Sequence, residues 1–269
     1  MSGLHPFDAA IALQPLREGE AQGHTSPAYA NFIGPYGGIT AAQAVRAVLR
    51  DPRLLGETIA LTVNYAAALA DGPFIARTRP ARTNRSTQHW IVELMQGEDT
   101  VVTATVMTAA RRETWSGHEA GMPDVPRPAD VPRTPRQGVA WLNRYDMRFL
   151  TGFVPRKWEG QGDAESLTRL WLRDEPLRPL DFAALTAMAD TFFPRIWLRR
   201  AKQTPVGTVT MTVYFHADGA QLAATGTQYL LAQARGQGFR NGYFDHAGQL
   251  WNEQGDLLAT THQVVYFKE

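Results

Sequence analysis

The feature that most constrains this chain is that its first half is repeated, loosely but in the same order, by its second half. Gly37-Gly38-Ile39-Thr40-Ala41-Ala42-Gln43-Ala44-Val45 opens an alanine-rich helical segment, and Phe182-Ala183-Ala184-Leu185-Thr186-Ala187-Met188-Ala189-Asp190 does the same later. Both segments are apolar around most of their circumference, which is the pattern of a helix buried on most sides. Each is followed by a β-branched and aromatic run, Thr58–Tyr65 and then Thr208–Phe215, as strands prefer. A hairpin pattern follows in turn. His89–Met95, a turn at Gly97-Glu98-Asp99 and Val101–Thr108 form one copy. Gly248–Asn252, a turn at Gln254-Gly255-Asp256 and Leu257–Phe267 form the other. The separation between matched segments grows along the chain, as small loop insertions would make it do.

Between the halves, residues 114–138 hold Pro123, Pro126, Pro128, Pro132 and Pro135, five of the 17 prolines. Proline fixes φ and removes a backbone donor, so this stretch is expected to be an extended linker. The expected division is residues 1–113 as one unit, 114–138 as linker and 139–269 as the second unit. A buried helix followed by long antiparallel strands suggests a sheet curled around one central helix, with its outer face solvated. Two such units side by side would pair their sheets and cover an edge of each. The expected fold is therefore α+β, a double hotdog of two tandem units.

Several function classes are excluded or disfavoured. Cysteine is absent, so disulfides, thiolate metal sites and a cysteine nucleophile are ruled out. The net charge is +1, with no basic excess for nucleic acid. No run approaches the roughly 18 apolar residues of a membrane span, and no secretory signal pattern opens the chain. A cytoplasmic protein is expected. The 7 histidines are scattered, so no metal is expected. There is no Gly-x-Ser-x-Gly elbow and no P-loop. Gly236-Gln237-Gly238-Phe239-Arg240-Asn241-Gly242 lies between strand patterns and reads as a glycine-rich strand or bulge.

Three residues stand out for chemistry. Asp190 lies among Ala187, Met188, Ala189, Phe192 and Phe193 in a helix that should be buried. An unpaired carboxylate there would cost several kcal/mol, so it is either satisfied at the helix end or kept for function. The matching position in the first helix is Ala44, so the fold does not demand a carboxylate. Gln263 shares a strand face with Ala259, Val265 and Phe267. Its expected counterpart is Met107, and the alternative is a solvated strand residue. Thr208 alternates with Thr210 and Thr212, but pattern alone cannot separate it from an ordinary strand threonine.

These pieces resemble a known family. Tyr36-Gly37-Gly38, Leu172-Arg173-Asp174-Glu175-Pro176-Leu177, Ala187-Met188-Ala189-Asp190, Val213-Tyr214-Phe215-His216 and Gly255–Gln263 are similar to segments of the acyl-CoA thioesterase II family, in its bacterial thioesterase-like branch. The likeness runs from about Phe7 to Phe267. It implies a double hotdog fold, hydrolysis of acyl-CoA to free acid and CoA, and a catalytic set of Asp190, Thr208 and Gln263. It departs from the family at Thr210-Met211, where acidic or histidine residues are frequent, and at Ala217, where arginine is.

The mechanism so implied is direct attack of water. Asp190 would take its proton, and Thr208 and Gln263 would orient it. Gly37 and Gly38, at the start of the first helix, would offer backbone donors to the oxyanion, or alternatively serve close helix packing. Arg77, Arg79, Arg82 and Arg85 suit phosphate recognition, or alternatively a solvated strand. No cofactor is expected. Acyl-CoA is the expected partner, in a homodimer or homotetramer, without nucleic acid or membrane. The competing readings are a non-catalytic acyl-CoA-binding protein and a hotdog enoyl-CoA hydratase. The second lacks a histidine shortly after Asp190.

Overall fold

The structure, a computed structural model, describes residues 3–136 and 138–269. Helix α1 (Pro6–Ala10) and strands β1 (Gln14–Arg17) and β2 (Glu20–His24) lead to helix α2 (Gly37–Leu49). Then come β3 (Glu57–Tyr65), β4 (Pro73–Thr83), β5 (Thr87–Gln96) and β6 (Asp99–Ala109). The second half begins with β7 (Tyr145–Thr151), β8 (Thr168–Asp174), α3 (Phe182–Met188) and α4 (Arg195–Arg200). It ends with β9 (Val206–Phe215), α5 (Gly219–Thr225), β10 (Leu230–Arg235), β11 (Phe239–Arg240), β12 (Tyr243–Trp251) and β13 (Leu257–Phe267).

All strands belong to one 13-stranded antiparallel sheet, ordered β1-β2-β4-β5-β6-β3-β9-β13-β12-β10-β8-β7, with β11 on β12. The two halves meet where β3 pairs with β9. In that ladder Thr62 lies opposite Thr212, and their hydroxyls are 3.0 Å apart. These residues occupy the same place in each repeat, so the two-fold relation between the halves passes between them. Each half uses its partner to cover a sheet edge that would otherwise stand open.

Helices α2 and α3 lie against each other on the inner face of this sheet. Helix α2 is buried along nearly its whole length, from Gly38 to Val48, which explains its alanine-rich composition. Helix α3 is shorter than expected and stops at Met188. Asp190 therefore lies in the turn after the helix rather than within it, with its N–H bonded to Ala187 O at 3.2 Å. Thr191 Oγ1 bonds back to Met188 O at 2.9 Å, and Pro194 three residues on cannot continue a helix.

The proline-rich stretch lies across the outer face of the second half's sheet. Trp171 Nε1 donates to Pro126 O at 2.9 Å and Trp251 Nε1 to Ala120 O at 3.1 Å. Val131 packs with Trp171, Tyr229, Leu231 and Trp251. Gln137, within the expected linker, lies outside the described residues. Among the described residues, no helix is long and apolar enough to cross a membrane.

Candidate active site

The residues singled out from sequence converge where the end of α3 meets the start of α2. Gln263 on β13 is buried, and its Nε2 donates to Asp190 Oδ1 at 2.7 Å. The same amide nitrogen reaches Met211 Sδ at 3.4 Å. Thr208 Oγ1 lies 3.5 Å from Gln263 Oε1, at the limit of a hydrogen bond. The structure thus pairs Asp190 with Gln263 directly and connects Thr208 to the pair through Gln263.

Thr208 reaches this position because of a bulge. On β9, Thr210 faces Val264 while Thr208 faces Val265, so Val209 is an extra residue in the ladder. Partners in register share a sheet face, and Val265 faces inward. Thr208 therefore points inward with Gln263 instead of outward with Thr210 and Thr212, contrary to simple alternation. A bulge re-aims a side chain in this way, and bulges concentrate at functional sites. The first repeat keeps the device: β3 bulges between Thr58 and Ala60, and Thr58 is fully buried where Thr208 is half-buried.

The glycines admit the carboxyl group to the start of α2. A Cβ on Gly37 would sit 2.8 Å from Asp190 Oδ2, and one on Gly38 would sit 2.6 Å from Ala187 O. The Gly38 N–H faces the Asp190 carboxyl, so one proposed oxyanion donor already serves the carboxylate. Two tyrosines not anticipated from sequence complete the surroundings. Tyr65 at the end of β3 donates its hydroxyl to Gly37 O at 2.9 Å. Tyr36, the residue before α2, donates to Ala187 O at 2.6 Å, satisfying a carbonyl at the end of α3. The repeat held a signal for Tyr65, because its counterpart is Phe215, the same ring without the hydroxyl.

Burial pushes the Asp190 pKa up to about 7, against the opposing pull of the Gln263 amide and the Gly38 N–H. A carboxyl tuned to neutrality can accept a proton at physiological pH and release it again.

The register corrects two expected counterparts. Gln263 pairs with Met211 as Val106 pairs with Leu61, so the counterpart of Gln263 is Val106. Met107 points to the opposite face. Counting from the first residue of each helix, Gly37 and Gly38 correspond to Phe182 and Ala183, and Asp190 corresponds to Val45 instead of Ala44. Arg77, Arg79, Arg82 and Arg85 are exposed on and beyond β4, five strand places from β13, and Arg77 pairs with Glu20 at 2.9 Å. They take no part in this site. Among the described residues no group of acids and histidines is arranged to hold a metal ion.

Two family models match the chain, the second beginning at residue 119, inside the stretch expected as a linker. Residues 26–109 match a model of the acyl-CoA thioesterase N-terminal domain, and residues 119–267 match one of the acyl-CoA thioesterase C-terminal domain. A hot dog protein of unknown function from Alicyclobacillus acidocaldarius is 45% identical, with 99% of each chain covered and a TM-score of 0.94. An acyl-CoA thioesterase II from Mycobacterium marinum shares the fold at 18% identity, covering 97% of this chain and 98% of its own, with a TM-score of 0.76. No functionally curated protein is similar enough to match.

Proposed function

The chain belongs to the acyl-CoA thioesterase family, and from that premise we propose that it hydrolyses acyl-CoA thioesters to free acid and CoA by direct attack of water. The observation that carries this reading is the 2.7 Å contact between Gln263 Nε2 and Asp190 Oδ1 at the glycine-lined start of α2. It gives a carboxylate of near-neutral pKa one fixed amide donor and leaves the other carboxyl oxygen toward the helix end.

In this mechanism Asp190 takes a proton from water as the water oxygen bonds to the thioester carbonyl carbon. General-base assistance of this kind contributes roughly 10²–10⁴-fold. Gln263 and Thr208 fix the carboxylate and the water's approach. Negative charge leaves the carboxylate as it is protonated and appears on the thioester oxygen. The carboxyl group lies at the positive end of α2, and a thioester oxygen bound beside it would share the Gly38 N–H and the helix dipole, which would hold the charge before and after proton transfer. The C–S bond then breaks, and protonated Asp190 returns its proton to the departing CoA thiolate, which leaves as the thiol and restores the carboxylate.

The test is thiol release from acyl-CoAs of increasing chain length by the wild-type protein and by Asp190→Asn. The reading expects turnover that the substitution lowers by about 10² or more. Acyl-CoA that binds and stays intact with the wild-type protein would make this a binding protein instead.

A further inference from the structure

A cavity of about 500 Å³ is lined by Arg199, Arg200, Phe239, Arg240, Phe267 and Glu269. We propose that it is a binding site for a phosphorylated nucleotide, with Arg199, Arg200 and Arg240 holding the phosphates and Phe239 and Phe267 beside the base. One source of that chemistry is the nucleotide end of a CoA thioester, an assignment that rests on the thioesterase reading. The other is a free nucleotide, which does not depend on it.

Each element that carries a proposed catalytic residue of the second half runs on to this cavity. Helix α4, which supplies Arg199 and Arg200, starts five residues after Asp190. Phe267 follows Gln263 by four residues on β13 and shares its face, a separation of roughly 13 Å along the strand. Val206, two residues before Thr208, lies opposite Phe267. The repeat supplies an internal control. In the first half α2 runs unbroken from Gly37 to Leu49, and no second helix follows it before β3. The helix that walls the cavity is therefore confined to the half that holds the carboxylate.

Both walls are fixed locally. Arg195, in the first turn of α4, is fully buried. Its guanidinium donates to Phe193 O at 2.8 Å, Ser166 O at 2.8 Å and Thr168 Oγ1 at 2.6 Å. Trp197 Nε1 donates to Thr204 O at 2.8 Å. The helix so anchored brings Arg199 and Arg200 to the cavity. The facing wall is the glycine-rich segment 236–242. Its strand β11 pairs Phe239 with Phe244 and Arg240 with Tyr243. Asn241 and Gly242, between them, have φ of 52° and 77°, the left-handed pair that a two-residue hairpin turn requires. The segment is a tight hairpin that carries Arg240 into the cavity wall.

Charge and shape together select the ligand. Among the described residues, Arg200 alone of the three arginines pairs with a carboxylate, Glu269 Oε1 at 2.8 Å. Arg199 lies over the Phe239 ring, 5.7 Å from its centroid. Positive charge concentrated in one recess favours a multiply charged anion, and the guanidinium fork matches phosphate oxygens. The apolar wall of Ile196, Phe239 and Phe267 offers nothing to inorganic phosphate and suits the flat face of a base. Phosphates joined to a base satisfy both surfaces.

Calorimetric titration with adenosine 3′,5′-bisphosphate tests the site, with inorganic phosphate and adenosine as probes of each feature alone. The bisphosphate should bind about tenfold or more tightly than either. Arg199→Gln and Arg240→Gln should each weaken it about tenfold, and Glu269→Gln, which frees Arg200, should tighten it. Kinetics then identify the source. If the site holds the CoA end, KM for an acyl-CoA should lie about tenfold or more below that for the acyl-pantetheine of equal chain length, and this ratio should collapse in both arginine variants. Equal KM values beside arginine-dependent bisphosphate binding would assign the site to a free nucleotide. Failure of the bisphosphate to bind, or binding unchanged in both arginine variants, would overturn the proposal. Nucleotide binding without thiol release from any thioester would defeat the hydrolase reading while keeping this one. Thiol release without nucleotide binding would do the reverse.

Discussion

The Tyr65 hydroxyl and the Gly37 carbonyl, 2.9 Å apart, hold one peptide unit from one side while Asp190 holds it from the other. Gly37 C=O and Gly38 N–H belong to the same planar group, so a donor on the carbonyl orients the N–H that faces the carboxylate. Tyr65→Phe removes only the hydroxyl and leaves the ring that Phe215 shows the fold accepts. It should lower kcat by about tenfold with little change in KM, the signature of an interaction strengthened in the transition state. The Gly38 N–H lowers the Asp190 pKa, so loosening it should also move the acid limb of the pH–rate profile to higher pH. A purely structural role would change thermal stability and leave that limb in place.

The wild-type pH–rate profile should itself rise with pH through an apparent pKa of about 7, because Asp190 must be ionised to accept a proton. Stability has the opposite sign. The folded pKa is raised above the unfolded value, so the folded chain binds the extra proton between about pH 4 and 7 and loses stability as pH rises through that window. Asp190→Asn cannot ionise. Its melting temperature relative to wild type should therefore be higher at pH 8 than at pH 5. Asp174, which burial also raises to about 7, remains in both proteins and cancels in the comparison. A difference that does not vary with pH would show that Asp190 titrates normally.

Gly37→Ala separates helix propensity from function. Alanine in a helix is favoured over glycine by about 0.5–1 kcal/mol, yet its Cβ would stand 2.8 Å from Asp190 Oδ2. The variant should lose turnover by about tenfold or more, because a displaced base is costly, while its denaturation midpoint changes little. Normal turnover with unchanged stability would mean that the carboxyl group has room to move without consequence.

The sequence revealed the repeat, both buried helices and the central strands, because hydrophobic period and composition are local and survive weak identity. It also singled out Asp190 and Gln263, as polar residues where the other repeat is apolar. What it missed depends on register. A one-residue slip turns a strand residue to the other face, which is why Met107 stood in for Val106. Alternation put Thr208 on one face with Thr210 and Thr212, since nothing in Val206–Thr210 announces that Val209 is skipped. Helix α3 was read two residues too long, because Ala189 and Asp190 suit a helix and only the following Thr191–Pro194 ends it. Tyr65 was within reach, through its contrast with Phe215, but its role depends on a peptide group in another element.

Gln263→Ala and Thr208→Ala should each lower the rate with little effect on binding. Neither should add fully to Asp190→Asn, because in the proposed mechanism all three serve one water and Gln263 touches both of the others. Double-mutant cycles measure this, and full additivity would show that they act independently.

A single active site per chain follows from the same comparison of repeats. At the pseudo-equivalent position, Asp190 is replaced by Val45, Gln263 by Val106, Tyr65 by Phe215 and Gly37 by Phe182. Only Thr58 keeps the hydroxyl of Thr208, and it is buried without a partner. Phe182 packs edge-on against Phe215 at 5.6 Å, filling the space that the second-half site leaves between Gly37 and Tyr65 for a carboxyl group. That end of the molecule is closed by core packing and has no base. The proposed site draws Gly37, Gly38 and Tyr65 from the first half and Asp190, Thr208 and Gln263 from the second, so neither half would hold a complete set. Separately expressed, residues 1–113 and 139–269 would also expose β3 and β9 as open edges. Titration of the intact chain with a non-hydrolysable acyl-CoA analogue should therefore saturate at one equivalent, and neither half should release thiol alone. Two equivalents, or turnover by residues 139–269, would mean that the glycine-tyrosine element of the first half is dispensable.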